Sequence, residues 1–371
     1  MECNMNNNAS KLPCDLLLYP KDEKYSEKIR NFQGCPTIAA TRGGRIFLGW
    51  YSGGTREPHM ENYNLLIYSD DFGKTWSEQV LVIPSSKERF VHALDIQLWT
   101  APDGKLYIFW VQNNTEPDTT PKPELKEGQP YFEIDGYRFV DYVHAEWVTI
   151  CDNPDADVLS FSKPRYLDIG FLRCKPTVLK NGRWIFFNYD QEHTQYGYSI
   201  SDDEGKTFTH HYGAEKLQTL FDESMAYEKE DGSIRMLART TLGYMAESIS
   251  YDGGMTWTDA KDSGIVAPSA RHYISRTPSG NILLVYSDHN SERTNMTIAL
   301  SEDDGKTWKY KRCIDTRDNL SYPDVDFYDG KIYLTYDRER TGAKEILFTS
   351  FTEEDVKNQD YKFEISIVSK P

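Results

Sequence analysis

Four segments of the chain repeat one pattern, Ser-x-Asp-x-Gly-x-Thr followed by an aromatic residue. The four copies begin at Ser69, Ser201, Ser250 and Ser301. In each copy the Asp can accept bonds from backbone N–H groups across a tight turn, the Gly allows a positive φ, and the aromatic ring covers the base of a hairpin. Each copy also follows an apolar run typical of a strand, such as residues 64–68. The repetition predicts a recurring β-hairpin unit.

The spacing of the copies predicts the size of that unit. Ser201 to Ser250 is 49 residues and Ser250 to Ser301 is 51, which matches one four-stranded propeller blade. The interval from Ser69 to Ser201 is 132 residues, slightly short of three blades. A degraded turn at residues 151–155 lies one period before Ser201, so the irregular length falls in the polar residues 112–141. We interpret that stretch as a long loop inserted in the second blade.

These observations predict an all-β chain with the fold of a six-bladed β-propeller. Residues 15–371 are expected to form one domain, preceded by an N-terminal tail at residues 1–14. The ring is expected to close through an N-terminal strand that joins the last sheet. The 13% aromatic content argues against disorder and fits rings placed by the repeat.

Composition excludes several classes of protein. The net charge of −16 disfavours binding to nucleic acid or to anionic membranes. The sequence shows no signal peptide and no apolar run of about 20 residues, which predicts a cytoplasmic protein without a membrane span. Six scattered cysteines and eight histidines lack the spacing of metal ligands, so neither a metal nor another cofactor is expected.

Three segments outside the turns carry polar residues that a strand pattern does not require. They are residues 221–225, residues 286–293 and residues 320–325. Together with the four turns, these segments resemble the sialidase superfamily over residues 30–350. That resemblance implies a six-bladed propeller and glycosidase activity.

The resemblance assigns roles to four residues. Tyr322, in Ser321-Tyr322-Pro323-Asp324, matches the family's tyrosine nucleophile, and Glu223 matches the glutamate that activates it. An activating base is needed because a phenol with a pKa of about 10 is a poor nucleophile on its own. Arg239 and Arg293 match two arginines of the triad that grips a substrate carboxylate through paired bonds.

Two places depart from the family pattern. The first triad arginine lies in a Phe-Arg-Ile-Pro motif, whereas the corresponding residues 32–38 here contain no arginine. The family's acid/base aspartate lies shortly before the first Asp turn, where the present loop spans residues 56–63. Glu61 is the first candidate for that role, followed by Glu57 and His59, and Arg56 of the same loop is a candidate substrate-binding residue.

Further candidate binding residues lie where polar groups stand beside apolar ones near the start of a blade. His92 and Asp95 belong to residues 90–95, and Lys175 belongs to residues 173–176. Arg271, in residues 269–276, is a candidate replacement for the missing triad arginine.

The sequence therefore predicts an exo-acting glycoside hydrolase that removes a terminal, sialic-acid-like sugar from a glycan with retention of configuration. The alternatives are the same fold acting on a uronic acid or rhamnose, as a hydrolase or a lyase, and a glycan-binding propeller without activity. The sequence leaves the oligomeric state open.

Overall fold

The computed structural model describes residues 9–116, 124, 131–134, 137–140, 145–169, 172–188 and 193–371. In this part of the chain, 27 strands form six antiparallel sheets that follow one another along the sequence. The prediction of an all-β, six-bladed propeller is confirmed. No helix within these residues has the length and apolar character needed to cross a bilayer.

Each blade contains a four-stranded antiparallel meander that runs from the centre of the ring outward. Blade 1 has one additional strand at its outer edge, and blade 2 has an additional hairpin. Blade 1 contains β1 (Leu17–Leu18), β2 (Phe32–Ala40), β3 (Ile46–Gly53), β4 (Tyr63–Ser69) and β5 (Leu81–Pro84). Blade 2 contains β6 (Val91–Thr100), β7 (Leu106–Glu116), β8 (Tyr131–Ile134), β9 (Tyr137–Val140), β10 (Ala145–Cys151) and β11 (Arg165–Ile169). Blade 3 contains β12 (Thr177–Val178), β13 (Trp184–Phe187), β14 (Gln195–Ser201) and β15 (Thr209–Glu215).

The second half of the ring is more regular. Blade 4 contains β16 (Ser224–Glu228), β17 (Ile234–Ala238), β18 (Tyr244–Ser250) and β19 (Lys261–Val266). Blade 5 contains β20 (Tyr273–Arg276), β21 (Ile282–Ser287), β22 (Met296–Ser301) and β23 (Tyr310–Asp315). Blade 6 contains β24 (Leu320–Tyr328), β25 (Lys331–Arg338), β26 (Glu345–Phe351) and β27 (Ser366–Ser369), with the short helix α1 (Glu353–Lys357) before β27. Three 3-10 turns lie at Ala9–Lys11, Glu23–Tyr25 and Glu27–Ile29.

The repeated turns join the third and fourth strands of blades 1, 3, 4 and 5. In the first copy, Asp71 Oδ1 accepts bonds from Ser69 Oγ and from Thr75 N, both at 2.8 Å. The other three copies make the same pair of bonds. These bonds to the ionised form, together with that from the Thr75 hydroxyl, lower the pKa of Asp71 to about 2. Each turn is therefore held by local bonds between residues of the turn itself, as Ser69, Asp71 and Thr75 show in the first copy.

The aromatic residues of two turns reach into the neighbouring blade rather than covering their own hairpin. Trp76 of blade 1 packs edge-on against Phe348 of blade 6, with ring centroids 5.3 Å apart. Trp257 of blade 4 packs in the same way against Phe187 of blade 3 at 5.8 Å. The core is thus a series of apolar layers between blades, and the repeat supplies rings to it.

Ring closure differs from the expectation. The N-terminal strand β1 pairs with β5 at the outer edge of blade 1, through Leu17 and Val82, so the prediction that it joins the last sheet is wrong. Blade 6 is instead joined to blade 1 by side-chain bonds. Asp324 Oδ2 on β24 accepts from Thr37 Oγ1 at 2.7 Å and from Ile38 N at 3.0 Å, both on β2.

The insert of residues 112–141 contains strand as well as loop. β7 continues to Glu116, and the hairpin β8–β9 pairs with its end through Thr115 and Phe139. Residues 117–123, 125–130, 135–136 and 141 of this insert lie outside the described residues. The insert leaves blade 2 between its second and third strands.

Part of the predicted N-terminal tail packs against blade 2. Residues 1–8 lie outside the described residues, but Ser10 is buried. The Ser10 carbonyl accepts bonds from Gln112 Nε2 at 2.7 Å and from Trp147 Nε1 at 2.8 Å. Residues 9–11 are therefore part of the packed domain.

Candidate active site

Tyr322 and Glu223 form a direct hydrogen bond at the centre of the propeller. The Tyr322 hydroxyl donates to Glu223 Oε1 at 2.7 Å, and both side chains are buried. Burial and the Glu223 charge raise the pKa of Tyr322 above its usual value. Burial opposes ionisation of Glu223, but Arg239 and Arg173 outweigh it and hold its pKa at about 2. The phenol proton is thus directed at a carboxylate that stays ionised.

The β16–β17 hairpin places Glu223 and Arg239 together. Ser224 pairs with Ala238 in this hairpin, so the residues just outside the pair lie at the same open end. Arg239 Nη1 donates to Glu223 Oε2 at 2.8 Å. Since a tight turn sets the register, the spacing between the two residues follows from the hairpin itself.

Two further guanidinium groups lie over the Tyr322 ring. The Cζ atoms of Arg173 and Arg340 are 4.7 Å and 4.4 Å from the ring centroid. Arg173 Nε is also 3.7 Å from Glu223 Oε1, and Arg173 Nη1 is 3.2 Å from Asp95 Oδ1. A positive charge close to the ring favours the phenolate form of Tyr322.

Three inner strands carry a bulge at the level of the site. The ladders of β2, β6 and β24 shift register beside Cys35, Asp95 and Tyr322, respectively. These three residues have φ values of 55°, 56° and 53°, in the left-handed region. Such a conformation costs about 1–2 kcal/mol for a residue with a Cβ. Bulges of this kind re-aim side chains and concentrate at functional sites.

Two carboxyl groups lie close together beside these bulges. Ligand-type atoms of Cys35, Glu57 and Asp95 are all within 4.8 Å of one another. Both carboxylates are engaged by arginines, Asp95 by Arg173 and Glu57 by Arg340, the latter at 2.6 Å. Burial raises the pKa of Asp95, against the opposing charge of Arg173. Burial at this position therefore favours the protonated form of the Asp95 carboxyl group.

Arg293 lies in the β21–β22 connection and has no carboxylate partner among the described residues. Its Nη2 donates to the carbonyl of Ser269 at 3.0 Å. Burial, followed by the repulsion of Arg340 and Arg239, lowers the pKa of Arg293. Arg293 and Arg340 line one cavity of about 430 Å³. This uncompensated cation can accept an anionic ligand.

The structure therefore brings together Tyr322, Glu223, Arg239, Arg293 and Asp95 among the residues expected from the sequence. It places Glu61 differently. Glu61 is exposed and forms an ion pair with Lys87 at 3.0 Å, whereas Glu57 of the same loop contacts Arg340. Arg56, also in this loop, is exposed.

Three other candidates are buried in contacts with the protein. His92 Nε2 is 2.5 Å from the Tyr51 hydroxyl, and burial lowers the pKa of His92 to about 3. Lys175 Nζ donates to the Val325 carbonyl at 2.7 Å and is 3.1 Å from Asp326 Oδ2.

Arg271 is the third of them. It is 1% exposed and pairs with Asp324 at 3.0 Å. Its guanidinium also donates to the carbonyl of Pro323, the residue after Tyr322. Arg271 thus supports the backbone of β24 next to the site, and its bonds are made to the protein.

Two arginines of the site were not selected from the sequence. Arg173 lies two residues before Lys175 in the segment that was selected. Arg340 follows β25, and the hairpin signal Asp329-Gly330 could have located it. Counting back from that turn places Ser321 opposite Arg338, and the bulge at Tyr322 shifts the observed partner by one residue to Asp337. Either register brings the residues that follow β25 to the same end of the blade as Tyr322.

Comparison with known proteins agrees with this fold. Residues 44–334 match the BNR repeat-like domain family. The anhydrosialidase of Macrobdella decora is 27% identical over 228 residues, covering 54% of this chain and 29% of that protein, so the chain spans less than a third of its relative. The intramolecular trans-sialidase of Ruminococcus gnavus, solved with oseltamivir carboxylate, has a TM-score of 0.68 at 16% identity and covers 93% of this chain and 98% of that one. A Dyadobacter fermentans protein of unknown function has a TM-score of 0.68 at 19% identity, covering 97% and 99%.

Proposed function

This chain belongs to the BNR repeat-like domain family, and from that premise we propose that it is an exo-acting glycoside hydrolase that removes a terminal acidic sugar with retention of configuration. The observation that carries the proposal is the 2.7 Å bond from the Tyr322 hydroxyl to Glu223, with Arg239 paired to the same carboxylate. This arrangement supplies a nucleophile and a base to activate it.

The first step forms a bond between the Tyr322 oxygen and the anomeric carbon. The bond from that carbon to the leaving oxygen breaks, the phenol proton passes to Glu223, and an acid gives a proton to the leaving oxygen. Water then attacks the same carbon and gives one proton to the deprotonated acid, while the bond to the Tyr322 oxygen breaks and that oxygen takes its proton back from Glu223. Two displacements at one carbon retain its configuration.

A phenol suits a sugar whose anomeric carbon bears a carboxylate. A carboxylate nucleophile would meet that negative charge directly, whereas the neutral hydroxyl of Tyr322 does not. The cost is a weaker nucleophile, which the Glu223 base and the neighbouring arginines offset.

Glu57 is the residue that we assign as the acid. It lies in the loop where the sequence predicts this group, retains 25% side-chain exposure, and is joined to the site through Arg340. Exposure allows contact with a glycosidic oxygen, which the buried Asp95 lacks. Glu57→Gln should slow release of a poor leaving group, a natural glycan, much more than release of 4-methylumbelliferone. Glu61→Gln in the same loop is the matched control and should leave both rates unchanged.

The test of the nucleophile compares Tyr322→Phe with Tyr333→Phe, which removes the same atom from another buried position of blade 6. With 4-methylumbelliferyl α-sialoside, Tyr322→Phe should lower kcat by about 10³-fold or more, and Tyr333→Phe should not. Thermal unfolding of both variants checks folding. A folded Tyr322→Phe with the wild-type rate would refute the mechanism.

The names of two similar proteins motivate an alternative fate of the same intermediate. The Macrobdella decora and Ruminococcus gnavus proteins are named as an anhydrosialidase and an intramolecular trans-sialidase. If a hydroxyl of the bound sugar attacks in place of water, the product is lighter than the free sugar by one water. Mass spectrometry of the released sugar distinguishes the two outcomes.

A uronic acid is the second candidate substrate, favoured by the absence of an arginine in residues 32–38. Aryl uronides should then turn over faster than aryl sialosides. A product with an added C=C bond would indicate elimination. Glycan binding without turnover on any of these substrates would favour a binding propeller.

A further inference from the structure

Gly34 on strand β2 has no side chain, and the space that a side chain would fill there is occupied by Arg340. A Cβ at residue 34 would lie 2.6 Å from Cγ and 2.7 Å from Cδ of Arg340, closer than two carbon atoms can approach. The aliphatic part of Arg340 therefore occupies the volume of a residue-34 side chain. Pro36 aligns these residues with the Phe-Arg-Ile-Pro motif, in which the arginine corresponds to Gly34.

Arg340 is held in this space by groups from β24 and β25. Its Nε is 3.1 Å from Asp337 Oδ2, and its Nη2 donates to Ser321 Oγ at 3.3 Å. The same Asp337 oxygen accepts from the backbone N–H of Cys35 at 2.7 Å. Asp337 therefore joins Arg340 to β2, although the two segments are about 300 residues apart in the chain.

The guanidinium group of Arg340 has N–H donors that the described protein groups do not use. It carries five N–H groups. One is directed to Asp337, one to Ser321 and one, on Nη1, to Glu57. One N–H on each terminal nitrogen remains, and the side chain is 18% exposed. Paired donors on two nitrogens are the arrangement that grips a carboxylate.

Arg293 faces the same 430 Å³ cavity from the adjacent blade. Glu339 also lines this cavity but is paired with Arg338, whereas Arg293 has no carboxylate partner within the described part of the chain. An anion placed between Arg293 and Arg340 would relieve their mutual repulsion and satisfy the free donors of both.

We propose that Arg340, positioned by Asp337 and admitted by Gly34, replaces the arginine that β2 lacks and binds the substrate carboxylate together with Arg293. The inference rests on the proposed function in that the substrate is an acidic sugar. Glu57 shares Arg340 with that carboxylate.

The test measures binding of a matched pair of probes by titration calorimetry. Oseltamivir carboxylate and its ethyl ester differ only at the carboxyl group, which is an anion in the first and a neutral, larger ester in the second. The wild type should prefer the carboxylate, and Arg340→Gln should reduce that preference by about 10- to 100-fold while leaving the affinity for the ester nearly unchanged. Arg340→Lys, which keeps the charge and loses the fork, should fall between the two.

Arg183→Gln is the matched control. Arg183 has the same 18% side-chain exposure as Arg340 but pairs with Asp202 in the turn of blade 3, so its replacement should leave the preference at the wild-type value. Gly34→Ala should reduce the preference as Arg340→Gln does, since the added methyl displaces Arg340. In the double variant the two effects should not add, because both act on one guanidinium.

Two results would overturn the proposal. One is a wild type that binds the ester as tightly as the carboxylate or binds neither, and the other is an Arg340→Gln protein that keeps the wild-type preference. Turnover is a separate measurement. Loss of the preference in Arg340→Gln, in a protein that cleaves no sialoside, would support the anion site and refute only the proposed reaction.

Discussion

Asp324 is the residue whose loss we expect to destabilise the ring most. It lies on β24 two residues after Tyr322, is fully buried, and pairs with Arg271 at 3.0 Å. The same side chain accepts bonds from Thr37 Oγ1 and Ile38 N, which belong to the first blade. One carboxylate therefore neutralises a buried guanidinium and joins the last blade to the first.

The expected cost of Asp324→Ala follows from what the substitution leaves behind. Arg271 would remain buried without its counter-charge, which typically costs about 3–5 kcal/mol. Unfolding entropy of about 2.1 cal/mol/K per residue gives about 0.8 kcal/mol/K for 371 residues. The melting temperature should therefore fall by about 4–6 °C.

Thermal unfolding of three variants tests this reasoning. In Arg271→Met/Asp324→Ala the buried cation is absent, so this double variant should be more stable than Asp324→Ala alone, and Arg271→Met is the third protein needed for the cycle. A decrease of less than 1 °C for Asp324→Ala would show that the ring does not depend on this pair. A double variant as unstable as the sum of the singles would refute the role assigned to the unpaired charge.

Two further predictions concern the site and the turns. The pKa of Glu223 is lowered to about 2 from 4.5, so its ionised form stabilises the fold above pH 4.5, on the order of 3 kcal/mol, and this contribution is lost as the pH falls toward 2. Urea unfolding between pH 6 and pH 3 should show this loss of unfolding free energy in the wild type and a smaller loss in Glu223→Gln. An equal change of unfolding free energy with pH in the two proteins would contradict the prediction. Gly205 has φ 76° and a Cβ there would overlap the Trp184 ring, whereas Gly182 has φ 90° and open space around it. Gly205→Ala should therefore lower the free energy of unfolding by about 2–4 kcal/mol and Gly182→Ala by about 1–2 kcal/mol. Equal decreases in the melting temperature of the two variants would contradict this prediction.

The fold could be predicted because its main signal is local. In each turn the bonds join residues two to four positions apart, so Ser69, Asp71 and Thr75 specify the turn without help from the remainder of the chain. The period then fixes the blade, because one blade cannot bury its apolar face alone. The edge of a sheet has no comparable signal. A two-residue strand such as β1 can pair with either neighbouring blade, and packing decides between them.

The residues of the candidate site that lie in one hairpin could be predicted from the sequence. Those that meet only through contact between the first and last blades could not. Glu223 and Arg239 meet because of one hairpin register. Arg340 contacts Gly34 and Glu57 across the closure of the ring, at a sequence separation that no local pattern reports. Glu57 and Glu61 lie four residues apart in one loop, and the loop's path rather than its composition determines which of them reaches the site.

The charge of the site resolves an apparent conflict with the composition. A chain with a net charge of −16 should repel an acidic sugar, but charges beyond about 8 Å are screened at physiological ionic strength. Within that distance the number of arginines matters less than their pairing. Arg173, Arg239 and Arg340 each have a carboxylate of the protein beside them, and Arg293 has none among the described residues. In the proposed site the uncompensated charge comes from Arg293, and Arg340 adds the donors that its protein partners leave unused.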